Sequence, residues 1–250
     1  MATASLSSVL KRHQPDFHSV VPFDKTWETL CLLDFTANNT TLSPDDIADT
    51  ERFAAYINRT LNAQKARYGI GGYNEHRTLY ARSKHFDSPE EPRRLHLGID
   101  IWGPAGTRVM APLDGVVHSF AFNNNDSDYG ATLILTHRLE DISFHTLYGH
   151  LSLNSLKNLE EGRNILRGEV IAEFGMRFEN GNWPPHLHFQ VIADMQGWKG
   201  DYPGVCKYSE RQQWLDNCPD PDLILGLLPS TPLPLTISYC AHPEFPILAG

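Results

Sequence analysis

Twelve histidines stand in this chain of 250 residues, and the positions most able to do chemistry fall into three short words. They are His96-Leu97-Gly98-Ile99-Asp100, Tyr148-Gly149-His150-Leu151 and His186-Leu187-His188-Phe189. Side chains on a β-strand alternate with a period of two. His96 and Asp100 would therefore share a face, as would His186 and His188, about 7 Å apart along the strand. An imidazole and a carboxylate on one face can both reach a metal ion. Nitrogen and oxygen donors of this kind suit zinc, with a position left for water if three protein groups bind. Each word alone is weak. A second His-x-x-x-Asp occurs at His137–Asp141, where it reads as a strand end running into a hairpin turn. A solitary histidine is more often a hydrogen-bonded structural residue than a ligand. Two same-face pairs together with a third histidine opening a turn carry more, and the spacing leaves open which of His186 and His188 binds metal.

The elements that must position these residues are β in pattern. Short β-branched and aromatic runs at 97–102, 107–111, 115–122, 131–137, 142–148, 169–173 and 186–193 alternate with turn signals such as Gly103-Pro104, Asp114-Gly115 and Pro184-Pro185. Their short connections imply antiparallel meanders packed as a sandwich or open barrel. Gly98, Gly103 and Gly115 read as backbone punctuation. Earlier in the chain, Ser43 suits an N-cap, Pro44 the first helical position and Asp46 a capping box. Ile47, Ala54, Ile57 and Leu61 then fall on one helical face, and Gly69, Gly71 and Gly72 stop the run, so the spacing predicts a helix over about 44–68. Leu153, Leu156 and Leu159 suggest a short helix between strands. The expected organisation is an N-terminal extension over 1–90, a β domain over 91–225 and a proline-rich C-terminal tail over 226–250. The tail reads either as an extended segment on the domain or as the stub of a linker. The class is mainly β, α+β overall.

Composition narrows the partners. Lys+Arg 21 against Asp+Glu 30 gives a net charge of −9, the wrong sign for binding nucleic acid. It also argues against adhesion to anionic membranes or wall polymers. No apolar run approaches the roughly 20 residues that span a bilayer. The first residues lack the uninterrupted apolar stretch of a signal peptide, which makes the expected location cytoplasmic, or periplasmic or secreted if the true start lies upstream. Four scattered cysteines do not make a disulfide scaffold, and Cys206 and Cys218 are expected as free thiols rather than a bridge.

Taken in order and at this spacing, residues 96–120, the word Tyr148-Gly149-His150-Leu151, residues 162–175 and residues 184–191 closely resemble the lysostaphin/LytM-type zinc metallopeptidases, which cut peptide cross-links in bacterial peptidoglycan. The resemblance runs from about residue 93 to 195. It implies an antiparallel β core with the metal in a groove across one sheet, here preceded by an N-terminal helical extension. It implies one Zn2+ per chain, with His96, Asp100 and His188 as ligands. It further implies that His150 and His186 are unliganded catalytic histidines beside the metal, which orient water, shuttle its proton and stabilise the oxyanion. The implied activity is that of a zinc-dependent hydrolase cleaving an amide or peptide bond, a peptidoglycan-type endopeptidase with a peptide or muropeptide-like substrate. Trp183, beside Pro184-Pro185, reads equally as a wall of the groove or as ordinary loop packing.

The rest of the chain does not look like the usual accessories of that family. Residues 1–90 and the segment after Gly200 look more like the peptidase-like part of bacterial multidomain proteins that also carry a small-molecule phosphotransferase domain and a PLP-dependent aminotransferase domain. That comparison implies kinase- or aminotransferase-type partner proteins. It sustains an alternative reading, a cytosolic zinc enzyme acting on a different small molecule. A noncatalytic binding module is a further alternative, against which the intact five-residue set speaks.

Overall fold

The computed structural model of the chain describes residues 5–82, 86, 88 and 90–228. The proline-rich tail expected over 226–250 therefore lies, from residue 229 on, outside the described residues, as does Cys240.

The first ninety residues are partly helical: α1 (Leu6–His13), then β1 (Leu30–Leu33), α2 (Pro44–Ala48), α3 (Thr50–Gln64) and β2 (Tyr68–Gly71). The helix expected over 44–68 is thus two helices. Ser43 and Asp46 form the capping box that starts α2. Asp49 then takes an extended conformation, and its carboxylate accepts from the amides of Glu51 and Arg52, so it caps a fresh helix. The apolar period runs on across this break, which hid it: Ile47, Ile57 and Leu61 are all buried on one side with Phe53 and Tyr56. The stop is Lys65 in the left-handed conformation, whereas Gly69 and Gly71 lie inside β2.

The remaining strands follow closely: β3 (Arg93–His96), β4 (Ile99–Trp102), β5 (Arg108–Met110), β6 (Gly115–Asn123), β7 (Gly130–Leu139), β8 (Ile142–Leu151), β9 (Asn164–Ile165), β10 (Val170–Glu173), β11 (His186–Ile192) and β12 (Val205–Lys207). Two short helices, α4 (Arg211–Asn217) and α5 (Asp222–Leu225), close the described chain. Eight strands form one sheet in the order β1-β2-β4-β11-β8-β7-β6-β9, antiparallel except for the β1–β2 pair. Two ribbons, β5–β10 and β3–β12, stand apart from it. The segment before residue 90 thus adds two strands to the sheet as well as helices. β4, β11 and β8 lie near its middle, and all seven residues of β11 are buried. A strand covered on both faces reads as an apolar run, so the polar residues that interrupt it, His186, His188 and Gln190, must find partners inside.

Cys206 and Cys218 are free thiols, and both are buried, as is Cys31. Burial pushes the Cys206 and Cys218 thiols up to about 12, so both stay protonated and inert at neutral pH. Among the described residues no helix is long and apolar enough to cross a membrane.

Candidate metal centre

His96 and Asp100 do not share one strand. The chain leaves β3 at His96, turns through Leu97-Gly98 and enters the main sheet as β4, so the expected same-face spacing is replaced by a step between two sheets. Both side chains nonetheless arrive at one point, because β11 pairs with β4 in a register that sets His188 opposite Asp100. His188 Nδ1 is 3.0 Å from His96 Nε2 and 3.2 Å from Asp100 Oδ1, and His96 Nε2 is 3.3 Å from the same oxygen. The turn at Gly98 is needed for this approach. A Cβ there would stand 2.5 Å from His188 Cε1 and 2.6 Å from Nε2. Gly98 is therefore space for an imidazole rather than backbone punctuation.

Each donor is fixed from behind. His96 Nδ1 donates to the Gly72 carbonyl at 2.9 Å, which leaves Nε2 with a lone pair. His188 Nε2 donates to Gln190 Oε1 at 2.9 Å, which leaves Nδ1 with a lone pair. Arg77 Nη1 donates to Asp100 Oδ2. Burial alone would raise the Asp100 pKa, but the neighbouring His96 and Arg77 hold its carboxyl well below the usual carboxylate range. Three lone pairs thus converge with no hydrogen between them, an arrangement that a cation at the centre satisfies. A tetrahedral zinc with bonds of 2.0–2.1 Å separates its ligand atoms by about 3.3 Å, and the observed edges of 3.0–3.3 Å fit that value. Among the described residues this is the one such His/Asp/His group.

His186 and His150 lie beside the group. His186 faces Trp102 across the same strand pair, and the two rings stack at 3.8 Å and 12°. His150, expected just past a strand, is inside β8 at a bulge: the β7–β8 register shifts between Ala131 and Leu133, and His150 has φ +62°. A bulge redirects a side chain that regular alternation would send elsewhere. Here it brings the His150 ring to 4.1 Å from that of His186. The Nδ1 atoms of both rings donate to carbonyls, of Asn180 for His150 and of Pro184 for His186, each at 2.8 Å. Both Nε2 atoms are left as acceptors. Burial lowers the His186 pKa to about 4 and that of His150 well below its ordinary value, so both rings are neutral at pH 7.

Asp100, His150, His186 and His188 line a small cavity of about 50 Å³ together with Tyr80, Trp102, Tyr129 and Trp183. Trp183 is held by Asn180, packs edge-on to His150 and His186, and forms part of the wall. Sequence reasoning missed Arg77, Gly72, Gln190, Asn180, Trp102 and Tyr129. The one available signal for Gln190 was a polar residue at an inward position of a β run.

Comparison with known proteins gives the centre a setting. Residues 94–199 match the family described as "Peptidase family M23". The chain is 36% identical over 131 residues to "DD-carboxypeptidase/endopeptidase Mpg" of Neisseria meningitidis serogroup B, a match covering 50% of this chain and 28% of that protein. It is 34% identical over 97 residues to an "Uncharacterized metalloprotease" of Haemophilus influenzae, covering 39% of this chain and 18% of that one. The matches therefore span only 18–28% of the length of these curated relatives. Among solved structures, the catalytic domain of lysostaphin from Staphylococcus simulans is 20% identical, with a TM-score of 0.39, covering 64% of this chain and 96% of that one.

Proposed function

On the premise that residues 94–199 form a Peptidase family M23 domain, we propose that this chain is a zinc-dependent hydrolase of amide or peptide bonds, with a peptidoglycan-type peptide as substrate. The observation that carries the reading is the convergence of the His96 Nε2, His188 Nδ1 and Asp100 Oδ1 lone pairs beside two neutral imidazoles. His96, Asp100 and His188 would hold the metal. Zinc, when bound, supplies Lewis acidity toward water and toward the scissile carbonyl. The protein's own groups do the rest. His186 Nε2 accepts a proton from the attacking water and passes it to the leaving amine, while its Nδ1–H stays on the Pro184 carbonyl. His150, kept in the same tautomer by the Asn180 carbonyl, accepts at Nε2 a hydrogen bond from the water's other hydrogen and so orients it for attack. The Trp102 face and Trp183 edge restrain the His186 ring and keep bulk water from it.

The test is direct. Protein purified without added zinc should carry close to one zinc per chain, should release short peptides from muropeptides, and should lose that activity to a chelator and regain it with zinc. A folded preparation that neither holds nor takes up metal would overturn the reading.

A second reading is favoured by one observation. His96, Asp100, His150, His186 and His188 are each no more than 6% exposed. An extended chain advances about 3.3 Å per residue and needs a long open groove, whereas this cavity suits a short amide or the free end of a peptide. Such a substrate would fit a zinc enzyme of small-molecule metabolism working beside kinase- or aminotransferase-type partners. Cleavage of short amides with none of muropeptides would select it.

A further inference from the structure

Two of the three groups that steady the donor atoms come from before the matched span of 94–199: the Gly72 carbonyl on His96, and Arg77 on Asp100. We propose that Arg77 is a positioning residue that presents Asp100 to the metal through a single oxygen, which makes residues 72–77 an integral part of the centre. The proposal rests on the reading that His96, Asp100 and His188 hold a metal.

Arg77 is 1% exposed, and its guanidinium is held at every nitrogen. Nε donates to Glu75 Oε2 at 2.7 Å, Nη1 to Asp100 Oδ2 and to the Tyr80 hydroxyl, and Nη2 to the Gly72 carbonyl at 3.3 Å. The group also packs on the rings of Phe35 and Tyr80, at 5.4 and 5.9 Å. A Cβ at Gly71 would stand 2.7 Å from Nη2, so the backbone there is cut to the shape of this side chain.

The consequence for Asp100 is geometric. A carboxylate with both oxygens free can grip a cation with two atoms. Here Oδ2 is tied to the guanidinium, and only Oδ1 faces His96 and His188. Binding through one oxygen keeps the protein's donors at three and the fourth tetrahedral position open, as a catalytic zinc site requires. A guanidinium near a dication also repels it. Glu75, paired to the same guanidinium, offsets that charge and leaves the Asp100 charge for the metal. Lysine could not do the same work, because its single ammonium cannot span Glu75, Asp100 and Gly72 in one plane.

The discriminating variant is Arg77→Met with Glu75→Gln, which removes the brace and leaves the local sum of charge unchanged. Zinc affinity is measured by chelator competition and zinc coordination by X-ray absorption, on full-length protein checked by near-ultraviolet circular dichroism. The expected result is a dissociation constant raised about 10–100-fold, the cost of losing a group that orients a ligand, with one more oxygen at the zinc. Arg77→Lys should show a smaller rise. A folded double variant with wild-type affinity and an unchanged absorption spectrum overturns the proposal. If the double variant does not fold, Arg77→Lys decides, and wild-type behaviour in both assays overturns the proposal there. Wild-type protein that takes up no zinc would overturn the metal reading itself, an outcome distinct from either.

Discussion

His188 stands directly opposite Asp100 across the β4–β11 pair, with His188 Nδ1 3.2 Å from Asp100 Oδ1. Two residues earlier on the same strand, His186 stands opposite Trp102 and stacks on it. One strand face thus carries two imidazoles with different neighbours, and the register alone separates a ring beside a carboxylate from a ring against an indole.

The two histidines should therefore respond differently to truncation. His188→Ala leaves two donors, and zinc content should collapse together with activity. His186→Ala and His150→Ala keep the three donors, so zinc should stay while turnover falls about 10²–10⁴-fold. Zinc content and hydrolysis measured on the same preparations check this. Loss of zinc from His186→Ala with retention by His188→Ala would reverse the assignment.

Gly98→Ala tests the approach of His188 to the turn. The added methyl would stand 2.5 Å from His188 Cε1 and 2.8 Å from the Phe189 carbonyl, both pinned by β11. Stability should fall by about 1–3 kcal/mol through overpacking, and zinc affinity by about 10-fold or more as His188 is displaced. Denaturant titration and chelator competition measure the two effects. An alanine variant with wild-type zinc affinity would show that the turn can give way.

His150 at φ +62° separates backbone strain from imidazole chemistry. A residue with a Cβ pays about 1 kcal/mol or more in the left-handed region, and glycine does not. His150→Gly should therefore be more stable than His150→Ala by about 1 kcal/mol in urea unfolding, with both variants equally slow. Equal stabilities would mean that the bulge relaxes when the ring is gone.

Acid should destabilise the fold through His137, away from the metal group. This ring is 1% exposed, donates from Nδ1 to the Asp114 carbonyl and meets Thr146 Oγ1 at 2.7 Å through Nε2. Burial, the largest cause, lowers its pKa to about 4, and nearby His145 lowers it further while Asp114 acts in the opposite direction. The unfolded chain binds the proton near pH 6.5 and the native state near pH 4. Its contribution is thus complete above about pH 6.5 and is lost as the pH falls toward 4, by about 3 kcal/mol in all. Unfolding free energy measured across this window should fall less steeply in His137→Gln than in the wild type. Parallel curves would refute the assignment.

The sequence by itself determined what short-range periodicity can carry. β-branched and aromatic runs bounded by turn signals marked β6, β7, β8 and β11 to within three residues at each end, since residue preference and turn chemistry are local. The Ser43–Asp46 capping box was legible because its two hydrogen bonds span three residues. The histidine and aspartate words were legible as candidate metal donors from residue chemistry, and the family resemblance divided them into proposed ligands and non-ligands. Tertiary structure decided the rest. Asp49 restarts a helix within an unbroken apolar period, because a capping carboxylate competes with the backbone whatever the pattern around it. His96 meets Asp100 through a step between sheets, and His150 turns inward at a bulge, where alternation fails. Arg77 reaches Asp100 across 23 residues and His96 reaches His188 across 92. Periodicity names the face a residue lies on, but the partner on that face is set by strand order and register, which exist only once the sheet has formed.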